Sequence, residues 1–235
     1  PAVKIAASGV VTINAPITAG PGPGRDIDID PTDVLVNANI LATGNIGITA
    51  NNNITVAPGI RVEADTDGLG GGDLTVTADD DTSGAGTLNG QSASQLLGAN
   101  IDFYGADVLL EGLVQSKTGN SEIDAANTIV QTNDPTALIQ SAGTTDVGVN
   151  TTPNTITLSG LGIRSAGTVT MRANGRILMD SALPASVVQA GSPGANVDIQ
   201  SATGAVDLLN VMNINAANNL TVQAGTAVTL NSSSP

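Results

Sequence analysis

The residues whose type and spacing can do chemistry here are carboxylates. Asp26, Asp28 and Asp30 alternate with Ile27 and Ile29, which sends all three side chains out of one face of a single strand, and Asp33 follows close behind. Asp65, Asp67 and Asp73 bracket a glycine-rich stretch, and Asp79, Asp80 and Asp81 follow the next apolar segment. Like charges at such spacing repel unless a cation bridges them. Hard cations take several oxygen ligands, so Ca2+ is the candidate ligand of Asp26, Asp28, Asp30, Asp65, Asp67 and Asp73. The competing reading is a solvated acidic strand face that discourages lateral pairing. Composition removes other chemistries: with no Cys and no His there is no thiol nucleophile, no histidine base and no zinc site of the usual ligands.

A second set is basic. Arg172 and Arg176 bracket a corner, Arg164 precedes them, and Asp198 and Asp180 are carboxylates they could face. A polysaccharide lyase with an acidic calcium site and a basic catalytic residue would use such groups; charge balancing on an acidic body uses them equally. Sugar grooves are usually lined with aromatics, and this chain has one Phe and one Tyr. These neighbours, Phe103 and Tyr104, must point to opposite sides of a strand, with Phe103 inside and Tyr104 outside. No catalytic residue is assigned, and the chain reads as non-enzymatic with no required cofactor. A net charge of −14, from 21 acidic and 7 basic side chains, argues against nucleic acid as a partner. No apolar run approaches the length of a membrane span, so no membrane insertion is expected.

The elements that carry these groups are strands. Val, Ile and Leu alternate with small polar residues throughout, Asn, Gly, Asp and Pro punctuate every stretch, and no segment sustains a helical period. The best helical candidate, Ser92 to Leu97, is short. Apolar-x-apolar signatures start at Val3, Ile27, Ile46, Leu74, Ile101, Ile123, Val147, Val169, Val197 and Leu220, a mean spacing of about 24. A second run trails the first by 7 to 9 residues in most repeats, as Val11 trails Val3 and Ile177 trails Val169. Several repeats show a third run, at Ile17, Ile40, Ile60 to Val62, Leu161 to Ile163 and Met212 to Ile214. Three short strands per repeat predict an all-β fold, a right-handed parallel β-helix (β-solenoid) of about ten coils, spanning 1–235 as a single domain. Ala at the end of the first strand suits a narrowing interior. Asn51, Asn174, Gly175, Gly204 and Gly225 then fall where a tight corner favours a left-handed backbone. Insertions are expected to leave through corner loops at Asp65 to Gly72, Asp79 to Ser94 and Leu183 to Gly194.

The segments Asn45 to Val56 (NIGITANNNITV), Asn196 to Ala202 (NVDIQSA) and Asn219 to Ala224 (NLTVQA) carry a resemblance. They are similar to filamentous haemagglutinin-type repeats of large bacterial exoproteins, many of them exported by two-partner secretion. The likeness covers most of the chain as a loose coil pattern. It implies a right-handed β-helix, an extracellular, cell-surface home on a bacterium, and adhesive or matrix roles with surface glycans as partners. The secretion-domain motifs Asn-Pro-Asn-Gly and Asn-Pro-Asn-Leu have no counterpart; Thr152-Pro153-Asn154 and Asn133-Asp134-Pro135 are not equivalent. The resemblance is therefore to a rod segment. Both ends enter the strand pattern directly, which leads to the expectation that the rod continues, either in a longer chain or by head-to-tail stacking of copies through open terminal coils. The function expected is a structural or adhesive rod of a surface filament; the alternative is a calcium-assisted polysaccharide-active enzyme or carbohydrate-binding module.

Overall fold

The computed structural model describes residues 3–20, 25–210 and 213–231. Within them the chain forms 27 strands and no helix, wound as a parallel β-solenoid. Each coil contributes up to three strands, one to each face. The second coil, for example, runs through Ile27–Asp30, Asp33–Val36 and Ile40–Ala42. Two faces share an 18-stranded sheet because the strands Ile101–Leu110 and Ser121–Gln131 continue around the corner between them; the third face is a separate 9-stranded sheet. Nine coils therefore carry all three faces, and the Leu220 coil carries two strands among the described residues. At about 4.8 Å per coil the stack is about 48 Å long.

Pairing is parallel and in register, so like residues meet. Ile5, Ile29, Ile48, Val76, Phe103, Ile123, Val147, Met171, Ile199 and Val222 form one continuous inward ladder on the first face. From Ile29 to Ile199 its members are essentially inaccessible to solvent. A single coil could not enclose these side chains; each is covered by the equivalent residue above and below, which is why the period had to persist. Phe103 is fully buried, and Tyr104 lies half-buried on the outer surface, as alternation requires.

The all-β reading holds even at Ser92 to Leu97, the short helical candidate: Gln95–Gly98 is a third-face strand between Arg61–Glu63 and Leu113–Ser116, with Leu96 aligned to Val62 and Val114. Two unpaired strand edges on either side outweigh a weak helical pattern. Three local expectations are corrected. The stretch from Asp79 to Ser94 is not one loop, since Thr87–Gly90 is a second-face strand aligned with Ile54–Val56, and Leu183 to Gly194 is not one either, since Val187–Ala190 is a third-face strand. Asn51, Asn174, Gly175, Gly204 and Gly225 do not adopt left-handed backbones. Glycine is needed there for proximity: a Cβ on Gly204 would lie 2.4 Å from the carbonyl carbon of Gly175 in the preceding coil. Met212, expected in a third-face run, lies outside the described residues; the strand after it is Asn213–Ala216.

Truncating one rung should expose how much the ladder contributes. Ile123→Ala, between Phe103 and Val147, is expected to destabilise the fold by about 2–5 kcal/mol in equilibrium denaturation. Val10→Ala, at a side chain 67% exposed, should cost less than about 0.5 kcal/mol.

Candidate functional site

The six candidate calcium ligands do not converge. Asp26 stands just before the first-face strand of its coil, and its Oδ1 accepts the N–H of Asn45 at 2.8 Å. Asn45 accepts the N–H of Asp73 at 2.9 Å, and Asp73 accepts the N–H of Asn100 at 3.1 Å and its Nδ2 at 2.8 Å. Asn100 and Asn120 continue the series to Asn120 and Thr144. Asp26 and Asp73 are thus rungs of a side-chain-to-backbone ladder that satisfies corner amides with no strand partner. Asp28 pairs with Lys4 at 2.7 Å, and that contact holds the Lys4 ammonium above its ordinary pKa. Asp30 is exposed beside Pro31.

Asp65 is fully buried with φ +57°. Its Oδ1 accepts the N–H groups of Gly70 at 2.8 Å and Gly71 at 3.2 Å, while Asp67 Oδ1 accepts that of Leu69 at 3.2 Å. The cation of this turn belongs to the chain itself. Lys117 Nζ donates to the carbonyl of Asp65 at 2.6 Å and pairs with Glu63 at 2.5 Å, and Glu63 also meets Arg61 at 2.6 Å. Among the described residues no group of three or more carboxylates is placed to hold a metal ion. In Asp26, Asp28, Asp65, Asp67 and Asp73 one carboxylate oxygen is engaged by the chain's own donors, while Asp65 Oδ2 is buried without a partner.

The loop after Asp79 is built the same way. Asp79, also buried, has φ +65°; it accepts the Gly84 N–H at 2.9 Å and the Ser83 hydroxyl at 2.9 Å, and Asp81 accepts the Ser83 N–H at 3.1 Å. Both loops read Ala-Asp-x-Asp-x-x-Gly-x-Gly, from Ala64 and from Ala78. Left-handed residues recur at matching places: Gly68 at +69° against Thr82 at +56°, and Gly70 at +81° against Gly84 at +80°. The closing glycines are obligatory, since a Cβ on Gly72 or Gly86 would sit 2.4 or 2.3 Å from the backbone nitrogen of Asp65 or Asp79. This recurrence is visible in the sequence and is the signal that identifies these aspartates as loop anchors.

The basic residues are dispersed. Arg172 meets Asp198 at 2.6 Å, as the sequence anticipates. Arg176 pairs with Asp207 at 2.6 Å and not with Asp180, which takes the side-chain amide of Asn210. Hydrogen bonding from Thr229, then from Arg176, holds Asp207 below the usual carboxylate range. Arg164 donates to the Ala185 carbonyl at 3.3 Å and has no carboxylate partner among the described residues.

Stacking assembles a carboxylate group that sequence spacing does not reveal. Asp102, Glu122 and Asp146 occupy one outward ladder on three successive coils, and Asp124 stands two residues beyond Glu122, aligned with Tyr104. Unlike Asp28 and Asp198 on the same ladder, these carboxylates have no ion pair among the described residues. Asp124 is 5% exposed and accepts the N–H groups of Asn150 and Thr151 at 3.2 and 3.3 Å; Asn150 Nδ2 also donates to Glu122. Burial, reinforced by Asp124 and then by Asp102 and Asp146, pushes Glu122 up to about 7. Burial likewise raises Asp124 and Asp102. A shallow cleft of about 300 Å3 adjoins them, lined by Asp73, Asn100, Asp102, Asn120 and Glu122. No arginine or lysine lines it.

Two measurements probe these loops. Thr82→Gly should stabilise the protein by about 0.5–1 kcal/mol by relieving a left-handed threonine, while Gly86→Ala should destabilise it by about 1–3 kcal/mol; urea denaturation reads both. Because no three of these carboxylates converge among the described residues, millimolar Ca2+ or EDTA is expected to leave the thermal midpoint in place, and a clear rise with Ca2+ would restore the calcium reading.

Comparison of the chain with protein-family models, with curated proteins and with solved structures returns no match.

Proposed function

We propose that this chain is a non-enzymatic structural rod, a segment of an extracellular surface filament whose coils continue end to end, in line with the filamentous haemagglutinin-like character of its repeats. The observation that supports this reading is the unbroken in-register stacking of coil on coil along the described residues, an architecture whose stability accumulates with each added coil. Leu220 and Val228 are 50% and 45% exposed, whereas Val197 and Val206, their ladder equivalents one coil earlier, are 0% exposed. Leu230 is 72% exposed in the same coil. At the opposite end Val3, Ile5, Val11 and Ile17 are only partly buried against the core. A second copy stacked on such a face would cover these side chains and pair with the strand edges. Within this reading the polar corner loops are the surface offered to glycans or other matrix partners. Among the described residues no helix is long and apolar enough to cross a membrane.

A second reading, a polysaccharide-active module, rests on the cleft beside Asp102 and Glu122, where one carboxyl is poised to exchange a proton near neutrality. The separation of the arginines from that cleft counts against it. Electron microscopy with light scattering tests the structural reading. Concentration-dependent particles with lengths in multiples of one rod are expected, and Val228→Glu combined with Leu230→Glu should return them to single rods. Single rods at every concentration, from a gene that encodes no further coils, would overturn it; cleavage of a polysaccharide by the purified protein would favour the second reading.

A further inference from the structure

Ten coils in register oblige outward residues to stack as strictly as inward ones. At two acidic positions on the first face the chain supplies relief: Asp28 has Lys4, and Asp198 has Arg172. The central coils have none. Asp102, Glu122 and Asp146 succeed one another at the coil pitch of about 4.8 Å. Glu122 and Asp124 project from the same side of one strand. Two carboxyls crowded into one site favour keeping a proton on one of them. The groups facing Glu122 are Asp102 from the strand below, with Tyr104 beside it, Asp146 from the strand above, Asp124 on its own strand and Asn150 from the following turn. Asp79 also bears on Tyr104. None of these groups is a cation. Lys117 is committed to Glu63, and Arg172 to Asp198.

We propose that Asp102, Glu122, Asp124 and Asp146 form a proton-dependent clasp across the three central coils. With Glu122 protonated, the coils stack against a partly neutral face. When that proton leaves, a row of uncompensated carboxylates is confined at the strand spacing, and their repulsion acts along the axis, against the hydrogen bonds that join these coils. The clasp makes the rod firmest in mildly acidic surroundings and places its weakest joint at mid-length.

The direction follows from linkage. Glu122 titrates at about 7 in the folded chain against 4.5 for an ordinary glutamate, so between those values the folded state holds a proton that the unfolded state does not. Stability is full below the lower value and is lost as pH rises through the upper one. Asp134 and Asp207, lowered from 3.8, act in the opposite sense and only in stronger acid.

The test is thermal unfolding of the full chain, followed by circular dichroism at low ionic strength from about pH 5 to about pH 8. The midpoint should fall by several degrees across that window. Glu122→Gln, which keeps shape and removes the charge, should abolish most of the fall and raise the midpoint at the alkaline end. Asp146→Asn should reduce the fall partially. Hydrogen exchange, corrected for intrinsic pH dependence, should show protection lost first in the strands of residues 101–147. A midpoint independent of pH, a full fall in Glu122→Gln, or uniform loss of protection along the rod would each overturn the proposal. If Glu122→Gln does not fold, carboxyl NMR of the unsubstituted chain decides: a Glu122 midpoint near 7 supports the clasp, and one at the ordinary value refutes it.

Discussion

The constraint from which the rest of the structure follows is in-register parallel pairing between successive coils. A backbone hydrogen bond from one coil to the next fixes which residue lies above which, so that inward apolar side chains inherit apolar neighbours. Inside, that is favourable: Ile on Ile and Val on Ile close a narrow interior from which water is excluded. At the corners it is equally favourable, because each Asn or Asp carbonyl oxygen meets the free amide of its successor. On the charged outer face the same rule turns unfavourable, since stacked carboxylates share a confined space. The rod's stability and its point of weakness have one cause.

Variation in coil length is absorbed where it does not disturb that pairing. The loops after Asp65 and Asp79 depart from the corner and return to it, each folded around a buried carboxylate that gathers backbone N–H groups. Left-handed residues at matching places let the chain double back within a few residues. Because each loop closes on its own aspartate, it adds residues between two strands that remain in register with their neighbours. An aspartate-rich, glycine-rich segment of this kind resembles a calcium turn in composition. Its physical role here is to anchor a loop, with the Lys117 ammonium as the local positive charge.

Much of this architecture could be read from periodicity. A repeat near 24 residues, alternation within each run and the opposite placement of Phe103 and Tyr104 all follow from strand geometry acting on residue order. Where the reading failed, a tertiary partner had the deciding effect. Asp79 to Ser94 reads as a loop, and the waiting strand edge of Ile54–Val56 draws Thr87–Gly90 into the sheet. Gly204 was expected to serve its own backbone angle, but it is required by the coil beneath it. The duplicated Ala-Asp-x-Asp-x-x-Gly-x-Gly pattern lay open in the sequence, masked by the more familiar association of clustered aspartates with metal.

Residue order alone determined that the chain is a stacked all-β rod, which side chains face inward, and that chemistry dependent on Cys or His is absent. Only the tertiary structure decided which charges are neighbours. Sequence separation between stacked positions varies because loops differ in length: Asp102 and Glu122 lie 20 residues apart, and Glu122 and Asp146 lie 24 apart. Yet the ladder places every such pair at the same strand spacing. Local order sets the direction of a side chain, whereas the energy of a charge depends on what stands one coil above and below it, and that is set by register.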